Sequence, residues 1–330
     1  VAEAGVNHNG SLEMALRLVD AATEAGADIV KFQTFKAEEV VSPLAPKAQY
    51  QVQTTGGHES QLDMIRKLEL SEEAFRTIQD HCRQRGIVFL STPFDHASAD
   101  LLERMGVAAY KVPSGEITNP ILLAHIARKG KPLILSTGMS TLDEVATAID
   151  HIRAAGNRQL VLLHCVSQYP AAPASVNLLA MKTLEERFEV PVGYSDHTQG
   201  ISIAVGAVAL GACVIEKHLT LDCTLPGPDH QASLEPPELA AMVQGIRDVQ
   251  AALGDGVKRP AVEELSTAAV ARRSLVASTD LRAGTRLTES MVAIRRPGTG
   301  LPPCELGRIL GRQLRQDVEA GSLLTLEMLA

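Results

Sequence analysis

Eight times between residues 1 and 253, a short apolar run gives way to an amphipathic stretch of helical period. No other feature narrows the fold as far. A helix that follows each strand returns the chain to the edge where the strand began, so successive strands must be parallel. The strands read at 1–5, 28–34, 87–92, 108–112, 132–136, 160–165, 190–196 and 212–218. Eight strand-plus-helix units in about 250 residues predict a closed (β/α)8 TIM barrel. An open doubly wound sheet is the competing layout, but no glycine-rich dinucleotide turn follows the first strand.

The pattern is interrupted once and then stops. Residues 36–70 form a long polar insertion with Pro43, Pro46, Gly56 and Gly57, the kind of segment that serves as a lid or binding loop. After Leu253 the periodicity is lost, and 254–270 read as a linker. Residues 271–330 carry short strands and Ala-Gly corners, which predict a small β-rich domain large enough to cover a site but too small to hold a large one. The catalytic domain is therefore expected at 1–253. The chain starts inside a strand-like segment without Met, so a short N-terminal piece is expected to be missing.

Composition removes several function classes. The net charge is -8, aromatics make up 3% and there is no Trp, so neither a positive face nor a stacking platform for nucleic acid is present. No apolar run reaches the roughly 18 residues of a membrane span. The five cysteines are odd in number and none lies in a CxxC pair; with no signal peptide visible, reduced thiols and a cytoplasmic protein are expected.

Polar residues collect at the C-terminal ends of the strands, where barrels build their sites: Glu3, Lys31, Gln33, Thr92, Lys111, Ser136, His164, Ser195, His197 and His218. His197 and His218 end two consecutive parallel strands and can share one metal ion, with Asp196, Glu216 and Asp229 near in sequence. Mn, Zn, Fe or Co suits such nitrogen and oxygen donors. Lys31 and Lys111, with Ser114 and Ser136, make a trap for a phosphorylated anion. The competing reading pairs the lysines with Glu3 or Glu116 as structural ion pairs. Ser195, Asp196 and His197 are consecutive, which is poor geometry for a nucleophilic triad.

The order of motifs carries a resemblance. Ala2-Glu3-Ala4-Gly5-Val6-Asn7-His8-Asn9-Gly10, Val30-Lys31-Phe32-Gln33-Thr34, Ser91-Thr92-Pro93-Phe94, Tyr110-Lys111-Val112-Pro113-Ser114-Gly115-Glu116, Leu135-Ser136-Thr137-Gly138-Met139, Leu163-His164-Cys165, Tyr194-Ser195-Asp196-His197-Thr198, Glu216-Lys217-His218 and Gly227-Pro228-Asp229-His230 occur in sequence. Together they resemble the sialic acid synthase family, the bacterial nonulosonate synthases. Residues 271–330, with Arg295-Arg296-Pro297-Gly298, resemble that family's antifreeze-like (SAF) domain.

The resemblance implies condensation of phosphoenolpyruvate with an N-acetylmannosamine-type hexosamine to give N-acetylneuraminate and phosphate by C–O cleavage. It implies a divalent metal, Mn2+ foremost with Mg2+ or Co2+ as substitutes, held by His197 and His218. Lys31, Lys111, Ser114, Ser136, Ser167 and Tyr169 would bind phosphoenolpyruvate, with Thr92 beside them. Ser167 departs from the Asn of some members but still offers a hydroxyl. Glu3, Gln33 and Asp229 would handle the sugar and proton transfers. Arg296 would reach the sugar's acetamido group from the partner subunit of a domain-swapped homodimer. Residues 45–51, 59–61 and 229–236 look closer to N-acetylneuraminate and N,N'-diacetyllegionaminate synthases than to pseudaminate synthases. The alternative substrate is thus 2,4-diacetamido-2,4,6-trideoxymannose. More distant readings are a metal-dependent pyruvate aldolase and a non-catalytic sugar-binding protein.

Overall fold

The computed structural model describes residues 1–56 and 58–330, with side chains other than those at 49, 50 and 53. Gly57 of the insertion, and the Gln49 and Tyr50 side chains used in comparing sugar specificities, lie outside the described residues. The chain forms two compact units, 1–254 and 255–330.

The first unit is a parallel barrel. Its strands are β1 (Ala2–Gly5), β2 (Ile29–Thr34), β3 (Val88–Pro93), β4 (Tyr110–Val112), β5 (Leu133–Ser136), β6 (Leu160–Cys165), β7 (Val192–Asp196) and β8 (Ile215–His218). Their order is β3-β2-β1-β8-β7-β6-β5-β4, so the first and last strands of the chain are hydrogen-bonded neighbours. β3 and β4 lie side by side and complete the circuit, although this pair has no place in the hydrogen-bonded order.

Local chemistry places the helices. Ser11, Ser71, Asp95 and Thr141 each accept a backbone N–H in the first turn of the helix that follows. Gly86 and Gly106 end two helices in the left-handed conformation. The apolar faces of the helices pack on the outward side chains of the strands, among them Phe32, Tyr110 and Tyr194. Inside the barrel, Leu90, Ile134 and Leu163 form an apolar floor. A Cβ at Gly193 would lie 2.3 Å from the Val214 carbonyl oxygen and 2.8 Å from Leu163, so the floor closes only with glycine there.

Two stretches differ from their sequence reading. The polar insertion at 36–70 folds into three short helices, Ala37–Val40, Gln49–Thr55 and Gln61–Arg66. Its Val41 and Leu62, with Ala37, are buried, which is why a segment that reads as polar holds together. Residues 254–270 do not form a plain linker, since a helix runs from Glu264 to Ala271. In the second unit β9 (Ser274–Ala277) pairs antiparallel with β10 (Val292–Arg295), over a core of Leu275, Leu281, Leu287, Ile309, Leu314 and Leu324. All five cysteines are free.

The first turn after β1 is tied to the segment after β8 by the buried His230, while a second buried histidine, His8, braces the turn itself. His8 Nδ1 accepts from the Gly10 N–H at 3.0 Å. His230 contacts the Thr220 hydroxyl at 2.6 Å and Asn9 Oδ1 at 3.2 Å. Burial holds both imidazoles down to about 4, with His230 adding to the shift of His8. Their ordinary value is 6.5. As pH falls through that value the unfolded chain takes up these protons and the folded chain does not. The stability they confer is complete above pH 6.5 and is lost on acidification toward 4. The melting temperature should fall across this window, and His230→Gln should flatten the fall relative to the wild type. Parallel curves for the two proteins would count against this assignment.

Candidate active site

Because side chains alternate along a strand, every strand of the barrel except β6 sends one or two charged, amide, hydroxyl or imidazole groups inward at its C-terminal end. Glu3, Lys31, Gln33, Thr92, Lys111, Ser136, Ser195, Glu216 and His218 do so, and His197 follows from the turn after β7. All line one cavity of about 440 Å³. Ser114, Ser167, Tyr169 and Asp229 join them from the loops. His164, expected on this rim, turns outward and meets the Val176 carbonyl at 2.6 Å. The next residue, Cys165, lines the cavity instead. Arg296 stands exposed just past β10 in the second unit.

The centre of the cavity is a buried charge cluster. Lys31 Nζ lies 2.7 Å from Glu3 Oε2 and 3.6 Å from Glu216 Oε1, and it donates to the Thr92 hydroxyl at 3.1 Å. Lys111 Nζ lies 3.3 Å from the same Glu216 oxygen, and the Ser195 hydroxyl donates to it at 3.3 Å. The competing sequence reading pairs the lysines with Glu3 or Glu116. Lys31 does pair with Glu3, but the carboxylate both lysines share is Glu216, while Glu116 accepts from Asn119 instead. Glu216 comes from β8, next to β1 only because the barrel closes, so nothing in the local sequence marks it as the common counter-ion.

The three carboxyls differ in readiness to hold a proton. Burial alone would raise Glu216, but Lys111 and Lys31 hold it down at about 2. Burial raises Asp229 to about 6, with the Glu3 charge adding to the shift. Glu3 is also raised, by burial and by Glu216, against the pull of Lys31. Glu216 is thus a fixed anion, Asp229 is placed to exchange a proton near neutral pH, and Glu3 holds a proton more readily than an ordinary carboxyl.

One side of the cavity is a set of hydroxyls. Ser114 Oγ accepts from the Gly138 N–H at 2.9 Å, and Ser136 Oγ is buried without a partner. A Cβ at Gly138 would sit 2.3 Å from Ser167 Oγ and 2.8 Å from Ser114 Oγ, so glycine is what lets the two serines converge. Hydroxyls and an ammonium facing a common space suit an oxyanion with several acceptor oxygens.

The other side holds imidazoles. The His197 and His218 ring centroids are 5.5 Å apart, and Tyr169 stacks 4.1 Å from His197. His197 Nδ1 faces the Val166 carbonyl at 2.7 Å and donates to it, which leaves Nε2 as the nitrogen for a ligand; burial would lower the imidazole, but Cys165 and this carbonyl raise it above its ordinary value. His218 Nδ1 is buried, lacks a hydrogen-bond partner and lies 3.9 Å from Asp229 Oδ2. Burial, His197 and Lys31 keep His218 neutral, the state a metal ligand needs. The pair fits a divalent ion. Among the described residues, no group of three or more His, Cys, Asp or Glu is arranged to hold a metal. The protein therefore offers such an ion two imidazole nitrogens.

A third wall, which sequence reading missed, is apolar. Val6, Phe35, Val40, Met64, Ile65, Leu68 and Phe94 line the same cavity, largely from the insertion, and Phe35 meets Phe94 edge-on at 6.2 Å. Val40, Met64, Ile65 and Leu68 are scattered through a stretch that reads as polar, and Val6, Phe35 and Phe94 come from the ends of β1, β2 and β3. Only the folding of that stretch over the barrel mouth brings them together.

Residues 18–258 match the model of the NeuB family, and 272–330 match the SAF domain. The chain belongs to the NeuB family. It is 49% identical to the N,N'-diacetyllegionaminic acid synthase of Legionella pneumophila over 99% of this chain and 93% of that protein. The enzyme of the same name from Campylobacter jejuni is 46% identical, over 98% of each. The crystal structure of the N-acetylneuraminic acid synthetase of Leptospira borgpetersenii in complex with citrate superposes with a TM-score of 0.71 at 36% identity, over 81% of this chain and 88% of that one. This NeuB protein is accordingly an enzyme of the sialic acid synthase type, built as a barrel with a SAF domain.

Breaking the charge cluster should be costly. Glu216→Gln leaves two buried ammoniums without their shared anion, a change worth about 3–5 kcal/mol. Urea unfolding should show that loss, and inorganic phosphate should recover part of it. The recovery should disappear when Lys111→Ala is added. A variant as stable as the wild type would mean that Glu216 is not the counter-ion.

Proposed function

We propose that this NeuB protein is an N,N'-diacetyllegionaminate synthase, which condenses phosphoenolpyruvate with 2,4-diacetamido-2,4,6-trideoxymannose. The expectation of N-acetylneuraminate as product gives way to its alternative. The observation that carries this reading is the cavity's division into an anion side, an imidazole side and an apolar wall. A trideoxy sugar with two acetamido groups presents three methyls and lacks the C6 hydroxyl, so it matches an apolar wall better than N-acetylmannosamine does. The high identity to the two diacetyllegionaminic acid synthases supports the same choice.

In this reading C3 of phosphoenolpyruvate forms a bond to C1 of the open-chain sugar aldehyde. Water adds to C2, and phosphate leaves with its bridging oxygen. Lys31, Lys111, Ser114, Ser136, Ser167 and Tyr169 bind the phosphoenolpyruvate, the buried ammoniums offsetting its charge. Thr92 holds Lys31 in place. Glu3 and Asp229 hold and pass protons at the aldehyde oxygen and the attacking water, and Gln33, hydrogen-bonded to Glu3 at 3.1 Å, orients both Glu3 and sugar. A divalent ion held by His197 and His218, Mn2+ foremost, would polarise the aldehyde as a Lewis acid.

With phosphoenolpyruvate and either sugar, phosphate release should favour the diacetamido trideoxy sugar in kcat/KM by on the order of 10-fold or more. Preference for N-acetylmannosamine would overturn the product assignment. Turnover of free pyruvate in place of phosphoenolpyruvate would overturn the synthase chemistry in favour of an aldolase. Lys111→Ala should raise the KM for phosphoenolpyruvate more than that for the sugar. Chelator should abolish turnover and Mn2+ restore it; full activity in excess chelator would remove the metal from the mechanism.

The reading includes a homodimer in the cytoplasm, in which Arg296 contacts the sugar bound by the partner subunit. Its support is the family resemblance of the SAF domain; no helix among the described residues is long and apolar enough to cross a membrane. Arg296→Ala and His218→Ala should each be inactive. Mixed under subunit exchange, they should recover activity, because one site of a mixed dimer carries neither defect. Exchange verified by mass without recovery would return Arg296 to its own subunit or remove it from the site.

A further inference from the structure

Behind the imidazole pair, on the opposite face of the same strands, lies an ion pair that the chemistry above does not use. In β8, Glu216 and His218 face the cavity, and Lys217 between them points into the helix layer. In β7, Ser195 faces the cavity, and Tyr194 and Asp196 point away from it. Asp196 and Lys217 are register partners, and both side chains are wholly buried, with Nζ 2.8 Å from Oδ2.

The same ammonium donates to the Thr198 carbonyl. The other oxygen of Asp196 accepts from the Thr198 N–H at 2.9 Å, the Thr198 hydroxyl at 2.8 Å and the Tyr194 hydroxyl at 3.2 Å. The residues on both sides of His197 are therefore tied to the residue immediately before His218.

A buried ion pair is an expensive way to hold two strands. Apolar side chains of the same volume often do as well or better for stability. What charges with several directed hydrogen bonds add is a fixed geometry. The geometry points to Asp196 and Lys217 as a positioning pair. From the outer face they fix the turn that carries His197 against the strand end that carries His218, and so set the separation at which the two rings receive a divalent ion. This inference rests on the metal-binding reading of the two histidines. Outer-shell groups of this kind typically govern metal affinity by about 10–100-fold.

The test measures Mn2+ binding without substrates, from the electron paramagnetic resonance signal of free Mn2+. The proteins are the wild type, His218→Ala, Asp196→Asn, Lys217→Met and the Asp196→Asn/Lys217→Met double variant. Inorganic phosphate affinity and circular dichroism are followed on the same samples. Lys217→Met should weaken Mn2+ binding about 10–100-fold and leave phosphate affinity unchanged. Asp196→Asn keeps an oxygen for Thr198 and Tyr194, so its loss should be smaller. If Lys217→Met does not fold, the double variant, which leaves no unpaired charge, should show the weakened Mn2+ binding in a folded protein.

Wild-type Mn2+ affinity in the folded variants, with His218→Ala deficient, would overturn the positioning pair and leave the metal reading intact. Equal loss of Mn2+ and phosphate binding would reduce the pair to general support and overturn it as well. Equal Mn2+ binding by wild type and His218→Ala would overturn the metal reading and this inference with it.

Discussion

Two ammonium groups inside a closed barrel need an anion, and Glu216 is placed to serve both. Lys31 and Lys111 approach one of its oxygens at 3.6 and 3.3 Å. This contact allows the rest of the site to be charged at all. It permits two buried cations beside a set of hydroxyls without an ion already bound there. It also leaves Glu216 permanently ionised, and that negative charge helps raise Glu3. Glu3 in turn helps raise Asp229. One fixed anion thus separates the cavity's carboxyls into a counter-ion and two groups that hold a proton more readily.

The barrel stacks its layers to protect this cluster. The floor of Leu90, Ile134 and Leu163 is apolar and excludes water from below. The charged ring lies above it at the strand ends. Val40, Met64, Ile65 and Leu68 of the insertion bring an apolar wall to one side of the mouth. A dry surround strengthens each charge contact in the cavity, which is also why each buried group there must have a use or a partner. The exceptions include Ser136 Oγ, His218 Nδ1 and Glu216 Oε2. They belong to the anion side, the imidazole side and the cluster between them, where a bound ligand would supply the missing partners.

The strands work on both faces. Inward residues of β7 and β8 meet the cavity, while Asp196 and Lys217 form a second ionic contact in the helix layer. The buried charge of the active site is thus backed by buried charge behind it, and the two networks share backbone but no side chain.

The barrel was legible in the sequence because its cause is local. Strand and helix periods, capping residues and turn glycines each act over a few positions, and eight repeats of the alternation leave few ways to close a parallel sheet. The inward groups at strand ends were legible for the same reason, since alternation along a strand is a property of the backbone. Register between distant strands was not legible. It decides that Glu216 of β8, and not Glu116, meets both lysines, and that His164 turns outward while Cys165 faces the cavity. It also brings Asp196 opposite Lys217. The apolar wall was hidden because Val40, Met64, Ile65 and Leu68 are dispersed through a polar-looking insertion, and the helix Glu264–Ala271 was hidden in a stretch with little periodicity. Sequence determined which chemical groups each strand carries to the barrel mouth. Only the tertiary structure decided which of them touch, because contact between strands depends on closure and register, and no short window of residues encodes either.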